Sequence, residues 1–160
     1  MSKSHSGFGV TAYVKHYMGV VSDKLTRSLG ARAHNTVGIG GMGTEIVETR
    51  FPVLNIIDAI WVNAVPRRGP GTPYNIAMRV NVIAASRDPV ALDYWAAKYI
   101  PMKVAELEGY SDLSTMDPDN TNRGSFGSWL RLSMDEITRA GYQSTMDEDH
   151  MNIYVSTLES

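Results

Sequence analysis

The chain contains no cysteine among its 160 residues. Disulfides, thiolate zinc sites, Cys-ligated iron–sulfur clusters and a cysteine nucleophile are therefore excluded within these residues. No apolar run approaches the roughly 18 residues that a membrane span requires, and the first residues contain no hydrophobic segment of signal-peptide type. These absences predict a soluble chain with no membrane contact, cytoplasmic by default and exported only if an amino-terminal signal has been removed.

An excess of charge of one sign is also missing. The chain has 15 basic and 17 acidic residues, a formal net charge of −2. Binding to nucleic acid normally requires a basic excess on one face, so no nucleic-acid partner is expected. The content of 43% apolar and 20% charged residues is typical of one globular domain with a substantial core, here spanning residues 1–160.

The central stretch contains the clearest fold signals. An apolar segment at 53–62 and a second at 80–85 predict two strands, separated by a Gly/Pro loop at 67–73 and followed by a helix that opens at Asp88-Pro89. We therefore predict an α/β domain with a mixed or mostly parallel sheet flanked by helices. If the two strands are parallel, Arg67, Arg68 and Asp88 share one sheet edge; if they are antiparallel, the loop and Asp88 lie at opposite ends.

The first strand is apolar nearly throughout, which predicts that both of its faces are covered. Asp58 is its exception. A buried carboxylate must be paired, hydrogen-bonded or protonated. Asp58 is therefore either a functional acid or metal ligand, or an acceptor of backbone N–H groups from a neighbouring loop.

Three further segments have helix or strand patterns. Thr11 is a candidate cap for a helix extending to Met18, Ser133 to Glu136 has the spacing of a capping box for a helix ending near Ala140, and 152–155 predicts a closing strand. The segment Gly38-Ile-Gly-Gly-Met-Gly43 matches Gly-x-Gly-x-x-Gly. It lacks a convincing strand before it, so a loop followed by a helix is the stronger prediction than a dinucleotide site.

The residues near the amino terminus suggest a ligand site. In an extended chain, Lys3 and His5 leave the same face because they are two residues apart. The Gly7-Phe-Gly9 turn allows backbone N–H groups to face an anion. Arg67 and Arg68 have the guanidinium groups that hold carboxylate or phosphate. The alternative is that Lys3 to Gly9 is a polar surface lead-in and that the arginines bind nothing.

Several segments, in order, resemble the domain of unknown function 362 family. They are Lys3-Ser-His5, Gly9-Val-Thr11, Lys15-His-Tyr-Met-Gly19, Ile57-Asp-Ala-Ile60, Gly69-Pro70 and Ala85-Ser-Arg-Asp-Pro-Val-Ala-Leu-Asp93. The resemblance implies an α/β domain of prokaryotic type, whose relatives often carry ferredoxin-like cysteine motifs or a twin-arginine export signal. Neither occurs in this sequence. The resemblance further implies that the chain is the carboxyl-terminal portion of a longer protein.

Two functional hypotheses follow. The first is an enzyme-like domain whose cleft binds an anionic small molecule or a divalent metal; the second is a non-catalytic scaffold or partner-binding module that serves a separate redox protein. The first hypothesis assigns catalytic roles to Lys3, His5 and Asp58, ligand binding to Gly7, Gly9, Thr11, Lys15, Arg67, Arg68, Gly69 and Asp88, and metal binding to His5, Asp58 and Asp93. The sequence identifies no cofactor and no reaction. The expected partners are a small anion and either a second copy of the chain or a redox protein.

Overall fold

A computed structural model describes residues 2–19, 32–69 and 74–157. Its centre is a sheet of four strands in the order β2-β1-β3-β4. The strands are β1 (Ser2–His5), β2 (Gly9–Thr11), β3 (Asn55–Asn63) and β4 (Met78–Ser86). β1 pairs antiparallel with β2 and parallel with β3, and β3 pairs antiparallel with β4. The sheet is mixed and flanked by helices, which confirms the predicted α/β class.

Helices pack against this sheet and cover one face of β3 and β4. They are α1 (Arg32–Val37), α2 (Gly41–Thr49), α3 (Pro89–Tyr99), α4 (Pro101–Leu107) and α5 (Phe126–Arg139), with 3-10 helices at Val14–Gly19, Tyr74–Ile76 and Glu148–His150. The core lies between the helices and the sheet, and Phe126 and Trp129 of α5 are among its largest fully buried side chains. Within the described ranges, no helix has the length and apolar character needed to cross a membrane.

The prediction that β3 is covered on both faces is wrong. Ile57 and Ala59 are buried, whereas Ile56 is 55% exposed, Trp61 is 49% exposed and Asp58 is also exposed. Side chains alternate between the two faces of a strand, with an irregularity between Ala59 and Trp61, and only one face of β3 meets the helices. The high apolar content of the segment concealed this alternation because the outward positions also carry apolar side chains.

The antiparallel pairing of β3 with β4 decides between the two arrangements considered above. The Arg67 and Arg68 loop follows β3 at one end of the sheet, and Asp88 follows β4 at the other. Asp88 caps α3 by accepting hydrogen bonds from the backbone N–H groups of Val90 and Ala91. The loop and Asp88 therefore do not form one site.

Three local predictions are corrected. Thr11 ends β2 instead of capping a helix, and the helix after it is a 3-10 helix that begins at Val14. Ser133 lies inside α5, whose N-cap is Ser125, and its hydroxyl donates to the carbonyl of Trp129. Residues 152–155 form no strand.

The glycine-rich segment acts in helix packing. α1 directly precedes it, at the place where a dinucleotide fingerprint requires a strand. A Cβ atom on Gly43 would lie 2.2 Å from the carbonyl oxygen of Ser133. The glycine therefore permits the close contact between α2 and α5.

Candidate functional site

β1 is extended and directs Lys3 and His5 to one face of the sheet, as predicted. Ser2 and Ser4 are buried on the opposite side, whereas Lys3 and His5 are half-buried. Lys3 lies opposite Thr11 of β2 and beside Asn63 of β3. Directly opposed side chains of antiparallel strands are roughly 5 Å apart at their Cβ atoms, so Lys3 and Thr11 are neighbours.

The turn between β1 and β2 is held by the segment that leads into α5. Gly9 has a φ angle of 72°, and a Cβ atom there would lie 1.9 Å from the carbonyl oxygen of Thr115. The carbonyl of Phe8 accepts a hydrogen bond from the indole Nε1 of Trp129 at 2.9 Å. Gly9 is therefore required by close backbone packing, and the turn has a fixed position relative to the core.

Lys15 reaches the same face from the 3-10 helix. Its segment is anchored by Asp93 of α3, whose two carboxylate oxygens accept hydrogen bonds from the backbone N–H groups of Tyr13 at 2.7 Å and Val14 at 2.9 Å. Asp93 is 0% exposed and Lys15 is 7% exposed. The Lys15 Nζ atom lies 5.2 Å from the centroid of the Phe8 ring. Asp93 thus fixes the backbone that carries Lys15.

His5, Lys15 and His34 lie around the Phe8 ring. The charge of Lys3 acts on both His5 and Lys15, and Thr11 is its neighbour on β2. We call these six residues, Lys3, His5, Phe8, Thr11, Lys15 and His34, the cationic cluster. The Phe8 ring centroid is 5.0 Å from that of His5 and 6.2 Å from that of His34. No ion pair joins Lys3 or Lys15 to a carboxylate in the described ranges. The buried hydroxyl of Thr11 likewise has no hydrogen-bond partner there.

The crowding of positive charge changes the proton affinity of the cluster. Burial lowers the pKa of Lys15, and the charge of Lys3 lowers it further. Burial lowers the pKa of His5 to about 4, with added repulsion from Lys15, His34 and Lys3. His5 is therefore neutral at pH 7. Its Nδ1 atom accepts a hydrogen bond from the backbone N–H of Gly7 at 3.1 Å.

The loop after β3 contacts the back of β1. The Ser4 hydroxyl donates to the carbonyl of Arg68 at 2.9 Å, and the Ser6 N–H donates to the carbonyl of Gly69 at 3.3 Å. The Arg67 guanidinium pairs with Asp112 at 2.7 Å. This loop therefore supports β1 through its backbone. Pro70, the residue that follows Gly69 in the family pattern, lies outside the described residues.

Asp58 is distant from the cationic cluster. It is five residues before Asn63, the β3 neighbour of Lys3, which is roughly 16 Å along a strand. Its carboxylate accepts a hydrogen bond from the backbone N–H of Ile60 at 2.9 Å. The structure therefore does not bring Asp58 to the residues with which it was expected to share a catalytic or metal site.

The expected metal ligands do not converge in the part of the chain that the structure describes. No group of three or more His, Asp or Glu side chains there could hold a metal ion. Both oxygens of Asp93 already accept backbone hydrogen bonds. Burial raises the pKa of Asp93 to about 7, although the N–H groups of Val14 and Tyr13 oppose this shift.

A groove of about 1620 Å³ lies at the other end of the sheet. Its lining includes Phe51 and Tyr142, whose rings stack at 4.0 Å, together with Asp88 and Trp95. The Asp88 carboxylate also accepts hydrogen bonds from the Ser144 hydroxyl and the Thr145 N–H. The groove shares no residue with the cationic cluster, and its acid is fully engaged by the fold.

Sequence reasoning missed Phe8 and His34. Phe8 lies between Gly7 and Gly9, and the two glycines predicted an anion-binding turn without indicating a role for the aromatic ring. His34 lies in a segment whose secondary-structure pattern is weak. The aromatic residue inside the turn was the available signal, because a ring beside cationic side chains favours cation–π contact. No local signal placed His34 near His5.

The cationic cluster lies in the part of the chain that matches a known protein family. Residues 1–98 match the family described as "Domain of unknown function (DUF362)". Comparisons with curated proteins and with solved structures find no match. The matched residues contain the whole cationic cluster and Asp93. Because the match extends over more than half of the 160 residues, the chain belongs to the domain of unknown function 362 family.

Proposed function

We propose that this protein binds a small anion, a carboxylate or a phosphate, in the cationic cluster. The observation that carries the proposal is the buried Lys15, which has no carboxylate partner among the described residues. Burying a charge without a counter-charge is costly, by several kcal/mol for a fully buried ion. An anion bound from solution would remove this cost.

The neighbouring groups are hydrogen-bond donors suited to anion oxygens. The Lys3 ammonium carries a second positive charge, and the buried Thr11 hydroxyl has a proton to donate. Because the Nδ1 atom of neutral His5 accepts from Gly7, the proton of its imidazole is assigned to Nε2, which is then a donor. Charge-assisted hydrogen bonds of this kind are roughly twice as strong as neutral ones.

The same features favour an anion over a divalent metal. Two lysines repel a cation, and an Nε2 atom that carries a proton has no lone pair for a metal. A pKa of about 4 also makes His5 a weak base at pH 7. The cluster therefore supports binding more strongly than general-base catalysis. The non-catalytic scaffold remains the second hypothesis, and it expects no dependence on Lys15.

Calorimetric titration with sodium phosphate and with sodium oxalate tests the proposal. Wild-type protein should bind at least one of them, and Lys15→Met should weaken that binding by at least tenfold, about 1.4 kcal/mol. Lys103→Met is the matched control, because Lys103 is exposed and pairs with Glu106 on α4; its affinity should equal that of wild type. Absence of binding to wild type, or equal binding to Lys15→Met, would reject the proposal.

A further inference from the structure

The face of the sheet that lacks helices carries an exposed patch. The register pairs Ile56 with Ala85 and Asp58 with Ile83 across β3 and β4 and, beyond a register shift between Ala59 and Trp61, it pairs Trp61 with Arg79. These six residues are exposed, whereas their strand neighbours Val62, Met78 and Val82 pack in or against the core, so the six side chains lie on the outward face. We call these six residues the outer patch. Ile83 is 68%, Ile56 55% and Trp61 49% exposed. Contiguous exposed apolar groups of this kind mark interaction surfaces.

The charges of the outer patch complement each other. It contains one acid, Asp58, and one base, Arg79, and neither forms an ion pair within the described residues. Asp58 is level with Ile83, and Arg79 is level with Trp61, three residues further along β3, which corresponds to roughly 10 Å. Asp58 thus lies in the middle row of the patch with Ile83 beside it, and Arg79 lies in the row at one end with Trp61 beside it.

We propose that the outer patch binds a second copy of this chain in a symmetric dimer. The two-fold axis lies between the two facing sheets and is perpendicular to the strands, so the strands of the two copies run in opposite directions. This arrangement places Arg79 of the second copy opposite the level of Asp58, displaced sideways by about one strand spacing of 4.8 Å. An arginine side chain can span this distance. The same operation pairs the other two charges, as a self-complementary interface requires.

Pairing through the edge of β4 is a less suitable arrangement. Asn81 in the middle of β4 has a φ angle of 55°, in the left-handed region. Its side chain accepts a hydrogen bond from the Nε atom of Arg79 at 2.8 Å. Such an irregularity interrupts the row of backbone groups that an added strand would need. The face, and not the edge, is therefore the contact surface. This inference does not depend on anion binding.

Sedimentation velocity over a range of protein concentrations tests the dimer. Wild type should be dimeric, and Asp58→Arg and Arg79→Asp should each weaken association by at least tenfold, because each places like charges opposite one another. The double variant Asp58→Arg/Arg79→Asp should restore association, since the exchanged charges pair again. Asp135→Arg, an exposed charge reversal on α5, is the control and should remain dimeric.

Circular dichroism would verify that each variant is folded, which is expected because both side chains are exposed. A wild type that stays monomeric at the highest concentration would overturn the proposal and favour a different protein as the occupant of the patch. A dimer that is indifferent to both single reversals would also overturn it. Failure of the double variant to recover association would reject the Asp58 to Arg79 pairing.

Discussion

Lys15 and Lys98 both lie over an aromatic ring, but they differ in what else surrounds them. The Nζ atom of Lys15 is 5.2 Å from the Phe8 centroid, and that of Lys98 is 5.3 Å from the Tyr94 centroid. Lys98 is also bonded to Glu148 at 2.7 Å and to Asp119 at 3.0 Å. Lys15 has no carboxylate partner in the described residues, although it is the more buried of the two.

The pKa values of the two lysines follow this difference. Hydrogen bonds from Lys98 to Glu148 raise its pKa, against the smaller effect of burial. Burial lowers the pKa of Lys15, and Lys3 adds repulsion. Lys98 is thus a structural lysine whose charge is neutralised by the fold. Lys15 carries a charge that the described fold leaves uncompensated, which is typical of a residue that binds a charged ligand.

The largest expected effect comes from removing the anchor of Lys15. Asp93→Ala should lower the free energy of unfolding by about 3 kcal/mol, because the buried N–H groups of Tyr13 and Val14 lose their acceptors. Asp93→Asn keeps one acceptor oxygen and should lose less. Urea unfolding measures both. Asp135→Ala, at an exposed acid on α5, should change stability by under about 0.5 kcal/mol; an equal effect at both positions would contradict the anchoring role.

The contribution of Asp93 should also depend on pH. Its pKa in the folded protein is raised to about 7, above the value near 3.9 of an unfolded aspartate. Between these pH values the folded state holds a proton that the unfolded state releases, so stability falls as pH rises. The contribution is complete below about pH 4 and is lost as pH passes through 7. Wild type should show this decline, and Asp93→Asn should show less of it.

Replacement of each lysine by methionine should give opposite changes in stability. Lys15→Met removes an uncompensated buried charge and should raise the free energy of unfolding by about 1 kcal/mol. Lys98→Met leaves two carboxylates without their cation and should lower it by about 1 kcal/mol, a modest value because this network is partly exposed. Thermal unfolding in a buffer without multivalent anions measures both; changes of the same sign would break the contrast between the lysines.

Part of the site and of the fold could be predicted from the sequence. The two-residue spacing of Lys3 and His5 predicts a shared face in a strand, and Asp88-Pro89 predicts a helix cap; both depend on neighbours in the chain. The anchor of Lys15 could not be found in this way, because Asp93 is 80 positions from Tyr13. Thr11 was expected to be the cap for the same reason: local patterns offer only local caps.

The error at Asp58 has a related cause. An apolar run predicts burial, yet burial also depends on how many layers cover the sheet, and β3 is covered on one side. The run is apolar outward as well as inward, so its composition did not distinguish a core strand from a strand with an exposed interaction surface. Similarly, the convergence of Phe8, Lys15 and His34 depends on long-range packing that no spacing in the sequence encodes.

The smallest expected effect concerns His5 and separates its role from that of Lys15. Its folded pKa of about 4 lies below the unfolded value near 6.5, so its contribution to stability is complete above pH 6.5 and is lost as pH falls through 4.

A bound anion favours the protonated imidazole of His5. The affinity for sulfate, which keeps its charge in this range, should therefore rise about threefold between pH 7 and pH 5, under 1 kcal/mol for a half-buried group. Calorimetry at these two pH values should show the rise in wild type and in His150→Gln, an exposed histidine that pairs with Asp147, and no rise in His5→Gln. An equal rise in all three proteins would mean that the pH dependence does not arise at His5, and that Lys15 and Lys3 distinguish this site from the neutralised environment of Lys98 without it.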